Sequence, residues 1–384
     1  TLMNTQPMPG YFFMPQHIIL VGASERPHTL GERILTALLG SSFQGDITPV
    51  NLRHKTVAGL PAYPNLNKID SQADLVIAVI PPDSYEALFK ACRKKQLHHL
   101  ILIQDWESLN EEDWQTARQA IQKHHGQELN ISVCSPAGIQ LPTQGLNTGV
   151  LPDFPAGHVA LLTGQASVSS EIDVMLRRMQ QGVSRHISLN YDLSPTSAAD
   201  WINRFGHNRH TRIAVVHHNP AENQRKLFSA IRHFTRHTPM IVHCTHAVDD
   251  TERAILESLS RHCNFLLTLN HNELSAALHA RLSDIKPSNQ LTALGNTPIG
   301  WLQPIAAEMG IQLTLPSEKS NLQNGYLGSM PTAAHYRSMA AQQLQQNHTQ
   351  SLLAVIAPSA DQNETAIAKM LNHLTKQTGK PLLV

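Results

Sequence analysis

The run Gly22-Ala23-Ser24-Glu25-Arg26-Pro27-His28-Thr29-Leu30-Gly31 has the make-up of a phosphate cradle. It follows the β-branched run HIILV and leads into a helical period, so small residues stand at a strand exit with a helix N-terminus behind them. Backbone N–H groups at such a bend can approach a phosphate closely, and the first helical turn adds its partial positive charge. Gly22 and Gly31 bracket the loop, but the spacing is not GxGxxG, so the ordinary dinucleotide fingerprint is absent. A tight β–α turn that binds nothing is the plain alternative.

The next apolar run ends in Asn51-Leu52-Arg53-His54-Lys55. Domains that bind NAD place an Asp or Glu there to take the ribose hydroxyls. Two permanent cations and a histidine suit a phosphorylated ribose instead, as in coenzyme A (CoA) or NADP, through charge-assisted hydrogen bonds. A solvated basic turn is again the alternative. Ile80-Pro81-Pro82-Asp83 follows the third run as a rigid exit, and Ile103-Gln104-Asp105 follows the fourth. Both belong to the carboxyl edge of the sheet, where ligands of open α/β sheets lie.

The elements that position these residues alternate. Strands are expected at 17–22, 46–50, 74–80, 100–103 and 131–134, with helices at 31–39, 83–94 and 111–124 between them. That order requires a parallel sheet with right-handed crossovers. The Pro/Gly-rich passage 151–157 (LPDFPAG) marks a candidate boundary, and a second alternating series runs to residue 282. The polar stretch 283–290 is the next linker, and a third α/β unit begins after it. The expectation is a Rossmann-like domain over 1–150 and flavodoxin-like, doubly wound domains over 151–285 and 286–384. Ending on the buried-type strand PLLV leaves the third sheet with an uncovered edge, so a truncated third unit is expected.

Composition narrows the function. Hydrophobic residues make up 41% of the 384, which fits a globular chain, and 5% aromatic residues leave little for stacking on nucleic-acid bases. A formal charge of +1 supplies no basic field for a polyphosphate, so no nucleic-acid partner is expected. No apolar run reaches the roughly 20 residues needed to span a bilayer, and a soluble, cytoplasmic protein without a membrane partner is expected. Cys92, Cys134, Cys244 and Cys263 lack CxxC spacing and read as reduced core thiols. The 23 histidines include a group from His207 through His210, His217 and His218 to His246, whose spacing fits no metal motif. No metal is expected.

The segments VGASERPHTLGERILTALL, FQGDITPVNLRHKTVAGLPAYPNL and DLVIAVIPPD resemble the CoA-binding domain of ADP-forming acyl-CoA synthetases, relatives of the succinyl-CoA synthetase alpha subunit. The similarity continues in order along the chain, through Gly145-Leu146-Asn147, and is most specific in the first domain. It extends to the synthetase-like region of Pat-type bacterial protein lysine acetyltransferases. The resemblance implies CoA or acetyl-CoA lying across Gly22, Ala23, Ser24, Arg26, Pro27, Leu30 and Gly31. Asn51, Arg53 or Lys55 would stand near its phosphates, with Ile80, Pro81, Pro82, Ile103, Gln104, Asp105, Ser135 and Pro136 along the same edge. ATP or ADP would enter through an ATP-grasp partner, in the same or another chain. An acetyltransferase partner domain is the other implied arrangement, and a homo-oligomer is left open.

Active members of that family carry a phosphate-relaying histidine in a Ser-His-Thr-Gly-like turn of the second domain. Here Met240–Cys244 is followed by Thr245-His246-Ala247-Val248-Asp249-Asp250 and directly by a helix, without the glycine-rich turn. Thr163-Gly164-Gln165-Ala166 replaces the family's Ser-Gln-Ser-Gly phosphate turn, and Ser135-Pro136-Ala137 its Gly-Pro-Asn. The expectation is a CoA-binding module that has lost phosphoryl relay, with His243 and His246 as substitute nucleophile candidates. An active synthetase subunit is the alternative, and an NADP-binding redox domain ranks third.

Overall fold

The computed structural model describes residues 15–126, 128–205, 210–282, 288–316, 325–329, 331–358 and 363–383. His207, one of the grouped histidines, lies outside them. The chain divides into two compact units, Thr1–Leu282 and Ser283–Val384.

The first half of the larger unit runs β1 (His17–Val21), α1 (Leu30–Gly40), β2 (Asp46–Val50), a small hairpin β3 (Thr56–Val57) and β4 (Leu60–Pro61), β5 (Leu75–Ala78), α2 (Tyr85–Lys94), β6 (His99–Ile103), α3 (Glu111–His124), β7 (Asn130–Leu141) and β8 (Leu146–Asn147). The second half runs β9 (Ala156–Thr163), α4 (Ala166–Arg178), β10 (Val183–Leu189), α5 (Ala198–Phe205), β11 (Ile213–His217), α6 (Gln224–Phe234), β12 (Met240–His243), α7 (Asp250–Cys263), β13 (Leu266–Thr268) and α8 (His271–Leu282).

All of its main strands belong to one sheet, ordered β13-β12-β11-β9-β10-β7-β6-β5-β1-β2, with β8 added beside β7. Each half is wound alike. The chain pairs its first strand with the second on one side, then crosses to place the remaining three on the other. The carboxyl ends of β1 and β5, and of β9 and β11, are therefore switch points, where crossover loops diverge and leave a crevice.

The halves expected on either side of residue 150 are thus the two ends of one sheet. Their junction is antiparallel: His186 pairs with Gln140, Ile187 with Ile139 and Leu189 with Cys134. Strand β7 supplies it by running on past Cys134, where the apolar run stops, through Pro136 and Gly138. Gly138 sits at φ +59, and a Cβ there would lie 2.8 Å from the Thr148 carbonyl oxygen.

Both faces of the sheet are covered, which is why its strands read as continuous apolar runs. Ile18, Leu20, Ile77 and Ile101 pack on one face with Leu35 and Leu38 of α1, while Ile19, Val76, Leu100 and Leu102 pack on the other with Leu88, Phe89 and Ile121 of α2 and α3. The first of these cores continues across the junction through Ile139 and Ile187 to Val216 and Trp201.

The smaller unit holds β14 (Gln290–Gly295), α9 (Leu302–Glu308), β15 (Gln312–Thr314), α10 (Ala333–Leu344), β16 (Ser351–Val355), α11 (Glu364–Thr378) and β17 (Leu382–Leu383). Its parallel sheet, β15-β14-β16-β17, begins with the same winding. Leu294, Tyr336, Leu352 and Leu371 make its core. Among the described residues, no helix is long and apolar enough to cross a membrane.

Candidate functional site

The first switch point holds a crevice of about 580 Å³ at the carboxyl ends of β1, β2 and β5. Its floor is Val21, Gly22, Ala23 and Ser24, where β1 turns toward α1. Gly22 has φ +90, and a Cβ there would lie 2.2 Å from the Val79 carbonyl oxygen. A Cβ on Gly31 would lie 2.2 Å from the carbonyl oxygen of Gly22, so the first turn of α1 rests directly on the strand exit. No larger residue fits either place, and the two glycines together bring the helix N-terminus against the loop. Thr29 caps α1, accepting from the Glu32 N–H. The Ser24 hydroxyl oxygen accepts from the Arg26 N–H at 3.0 Å.

Asn51 binds the neighbouring loop to this one. Its Nδ2 donates to the Ala23 carbonyl oxygen at 2.8 Å, and its Oδ1 accepts from the N–H groups of Arg53 and His54 at 2.8 and 2.9 Å. A carboxylate could accept the two N–H bonds but not make the first. Arg53, exposed, lines the crevice beside Leu52, which is 85% exposed. The far wall comes from Pro64–Asn67 and from Ser84, Ala87, Leu88 and Ala91 on and before α2. Sequence reading missed this wall. Its one signal is the small, helix-compatible pair Ala87 and Ala91, one turn apart, and alanine there looks like any other helix former.

Of the residues expected around the ligand, Gly22, Ala23, Ser24, Asn51, Arg53 and Ile80 line the crevice. Arg26 and Pro27 are exposed on the loop, and Leu30 and Gly31 open α1. Lys55 is exposed at the hairpin and is not part of the lining. Neither are Pro81 and Pro82, which begin the turn before α2. Gln104 donates through Nε2 to the Ile80 carbonyl oxygen at 2.8 Å, bracing the edge, and Asp105 beside it is exposed. Ile103 is fully buried. Ser135 is buried in the sheet junction, its hydroxyl 2.7 Å from that of Ser188, and Pro136 lies in β7 beyond it.

The second switch point carries the residues expected to have handled phosphate. Thr163 is buried, its hydroxyl bonded to those of Ser169 and Ser188 at 2.6 and 3.0 Å. Gln165 and Ala166 start α4. The Gly164 N–H donates to Nδ1 of His217 at 3.2 Å, and a Cβ on Gly164 would lie 2.3 Å from the Tyr191 ring. His217 Nε2 in turn meets the Thr245 hydroxyl at 2.8 Å, and burial holds its pKa down at about 4, so the ring is neutral. His243 is buried with Nδ1 2.9 Å from the Thr268 hydroxyl. His246, partly exposed after β12, places Nε2 2.8 Å from Oε1 of Glu252. The grouping also brings His218, Cys244 and His246 together, which their spacing in the chain did not suggest.

Residues 16–135 match the family described as a CoA binding domain. The alpha subunit of the ADP-forming acetate–CoA ligase II of Pyrococcus furiosus is 23% identical over 236 residues, 61% of this chain and 51% of that protein. The ADP-forming acetate–CoA ligase I of Archaeoglobus fulgidus is 21% identical over 234 residues, 60% of this chain and 33% of that protein. The aligned part thus spans about half or less of these relatives. Among solved structures, the apo form of the dinucleotide-forming acetyl-coenzyme A synthetase 1 of Ca. Korarchaeum cryptofilum superposes with a TM-score of 0.79 at 18% identity, covering 97% of this chain and 88% of that one. The likeness in fold agrees with the mostly parallel, repeatedly wound sheet. Residues 16–135 are a CoA-binding domain, and the chain that carries them is homologous to the alpha subunits of ADP-forming acetyl-CoA synthetases.

Proposed function

We propose that this chain binds CoA or acyl-CoA at the first switch point and no longer relays phosphate, acting as a regulatory, synthetase-like module. The observation that carries the binding half is the crevice itself. It offers backbone N–H groups and the start of α1 to a diphosphate, and Arg53 to the 3′-phosphate of the ribose. The apolar wall of Pro64, Leu66, Ala87 and Ala91 suits an adenine ring. What supports the loss of relay is the state of the former phosphate turn. Its Gly164 N–H is spent on His217, Tyr191 packs against Gly164, and His243 is bonded within the core. An acetyltransferase domain would be the natural reader of such a module.

Calorimetric titration of the full chain tests the binding. CoA and acetyl-CoA are expected to bind, with dephospho-CoA about 10- to 150-fold weaker, as loss of a charge-assisted bond of about 1.5–3 kcal/mol requires. Arg53→Ala should erase that difference, and NADPH should not displace CoA. No heat and no thermal stabilisation at millimolar CoA would remove the proposal.

A second reading rests on the His246–Glu252 pair, since a histidine oriented by a carboxylate has the arrangement of a phosphoryl acceptor. On this reading the chain is an active subunit that works with an ATP-grasp partner. Labelled ATP and such a partner would then leave acid-labile phosphate that His246→Ala abolishes. On the leading reading no label appears.

A further inference from the structure

We propose that His218, Cys244 and His246 form a binding site for a borderline-soft divalent cation, zinc above all, at the second switch point. Such a site does not depend on CoA binding.

The fold makes the juxtaposition. Parallel pairing sets His217 opposite His243, so the residues one step beyond, His218 and Cys244, leave the sheet side by side. The loop after β12 then brings His246 back, its ring 5.5 Å from that of His218. One ligating atom from each of the three lies within 4.8 Å of the other two. A tetrahedral zinc with bonds of about 2.0–2.3 Å needs separations of roughly 3.3–3.7 Å, so a modest contraction closes the site.

The hydrogen bonds select the free atoms. Gln224 donates through Nε2 to the carbonyl oxygens of Asn219 and Glu222 at 2.8 and 2.9 Å, which turns its Oε1 toward His218. His218 must therefore donate from Nε2 to that oxygen, at 2.9 Å, leaving Nδ1 as a bare lone pair. That Nδ1 is buried and without a hydrogen-bond partner in a side chain only 4% exposed. A buried acceptor left this way is costly unless something occupies it. His246 likewise donates from Nε2 to Glu252, which leaves its own Nδ1 lone pair. Both rings thus have the arrangement of metal-binding histidines, each with its second N–H held by an oxygen of the surrounding shell. By contrast, His217 has both nitrogens engaged. Cys244 is fully buried and supplies sulfur, which favours zinc over magnesium or calcium. On binding, the Cys244 Sγ–H proton passes to solvent as the metal–sulfur bond forms. Three protein ligands leave a fourth position, on the side of the partly exposed His246, for water or a small anion.

Cobalt titration of the EDTA-stripped full chain, followed by zinc, is the test. One cobalt per chain is expected, with a thiolate-to-cobalt charge-transfer band in the near ultraviolet that one equivalent of zinc bleaches. Cys244→Ser should remove the band. His246→Gln, in a partly exposed loop where folding is not at stake, should weaken zinc by more than the roughly 10–100-fold that loss of an outer-shell partner costs. Circular dichroism checks that each variant is folded. Cobalt uptake without the band, or with a band unchanged in His246→Gln, would mean adventitious binding to other histidines and would overturn the site. Failure to retain either metal at micromolar concentration would overturn it equally.

Discussion

At the scale of single residues, Gly22 and Asn51 do the positioning that the site depends on. Alanine at 22 would have to hold φ near +90 with its Cβ 2.2 Å from a backbone oxygen that cannot move without β5. Gly22→Ala should therefore cost at least about 2 kcal/mol of stability. Urea unfolding monitored by circular dichroism reads this directly, and an unchanged midpoint would contradict the geometry. Asn51→Ala acts differently, because the strand remains and only the tie between two loops is lost. A stability loss of about 1–2 kcal/mol is expected, with CoA affinity falling at least as much, since the freed loops must be ordered by the ligand.

At the scale of elements, α2 is both a layer of the core and the far wall of the crevice. Ala87 is exposed on it and lines the crevice, so Ala87→Phe should leave the melting temperature within about 2 °C while filling the slot. CoA affinity is expected to drop more than about tenfold; equal affinity would place the ligand elsewhere. This wall also shows where sequence reading stops. The strands expected at 17–22 and 100–103 were legible to within a residue because burial on both faces forces nearly unbroken apolar runs, and the loop after the first because Gly22 and Gly31 are required where it turns and where α1 rests on it. The continuation of β7 was not, since Pro136 and Gly138 are breaker signals whose strand conformation is imposed by a partner some fifty residues away. His218 and Cys244 met a similar limit, for their proximity comes from strand register and not from spacing along one helix.

At the scale of the whole molecule, the 23 histidines make the fold acid-sensitive. Protonating them all would add 23 positive charges to a chain that is nearly neutral at pH 7, and self-repulsion would oppose compactness. The buried members matter more. Burial lowers His99 to about 4 and His186 to about 3, from an ordinary value of 6.5. His186 is fully enclosed in β10, bonded through Nε2 to the Ser169 hydroxyl and packed 4.9 Å from the Phe154 ring, with no partner for a second proton. Between pH 6.5 and those lowered values the unfolded chain binds protons that the folded chain refuses, so stability falls as pH falls through this window. Each such histidine contributes up to about 1.4 kcal/mol per pH unit. Unfolding free energies from urea titrations at pH 7.5 and 5.0 should therefore differ by about 2 kcal/mol per buried ring, beyond what surface charge alone gives. His186→Gln keeps a donor for Ser169 but cannot ionise, and it should remove one ring's share of that difference. If the variant lost stability with falling pH as steeply as the parent, His186 would have to find a charge partner in the folded state, and the acid sensitivity would belong to the surface.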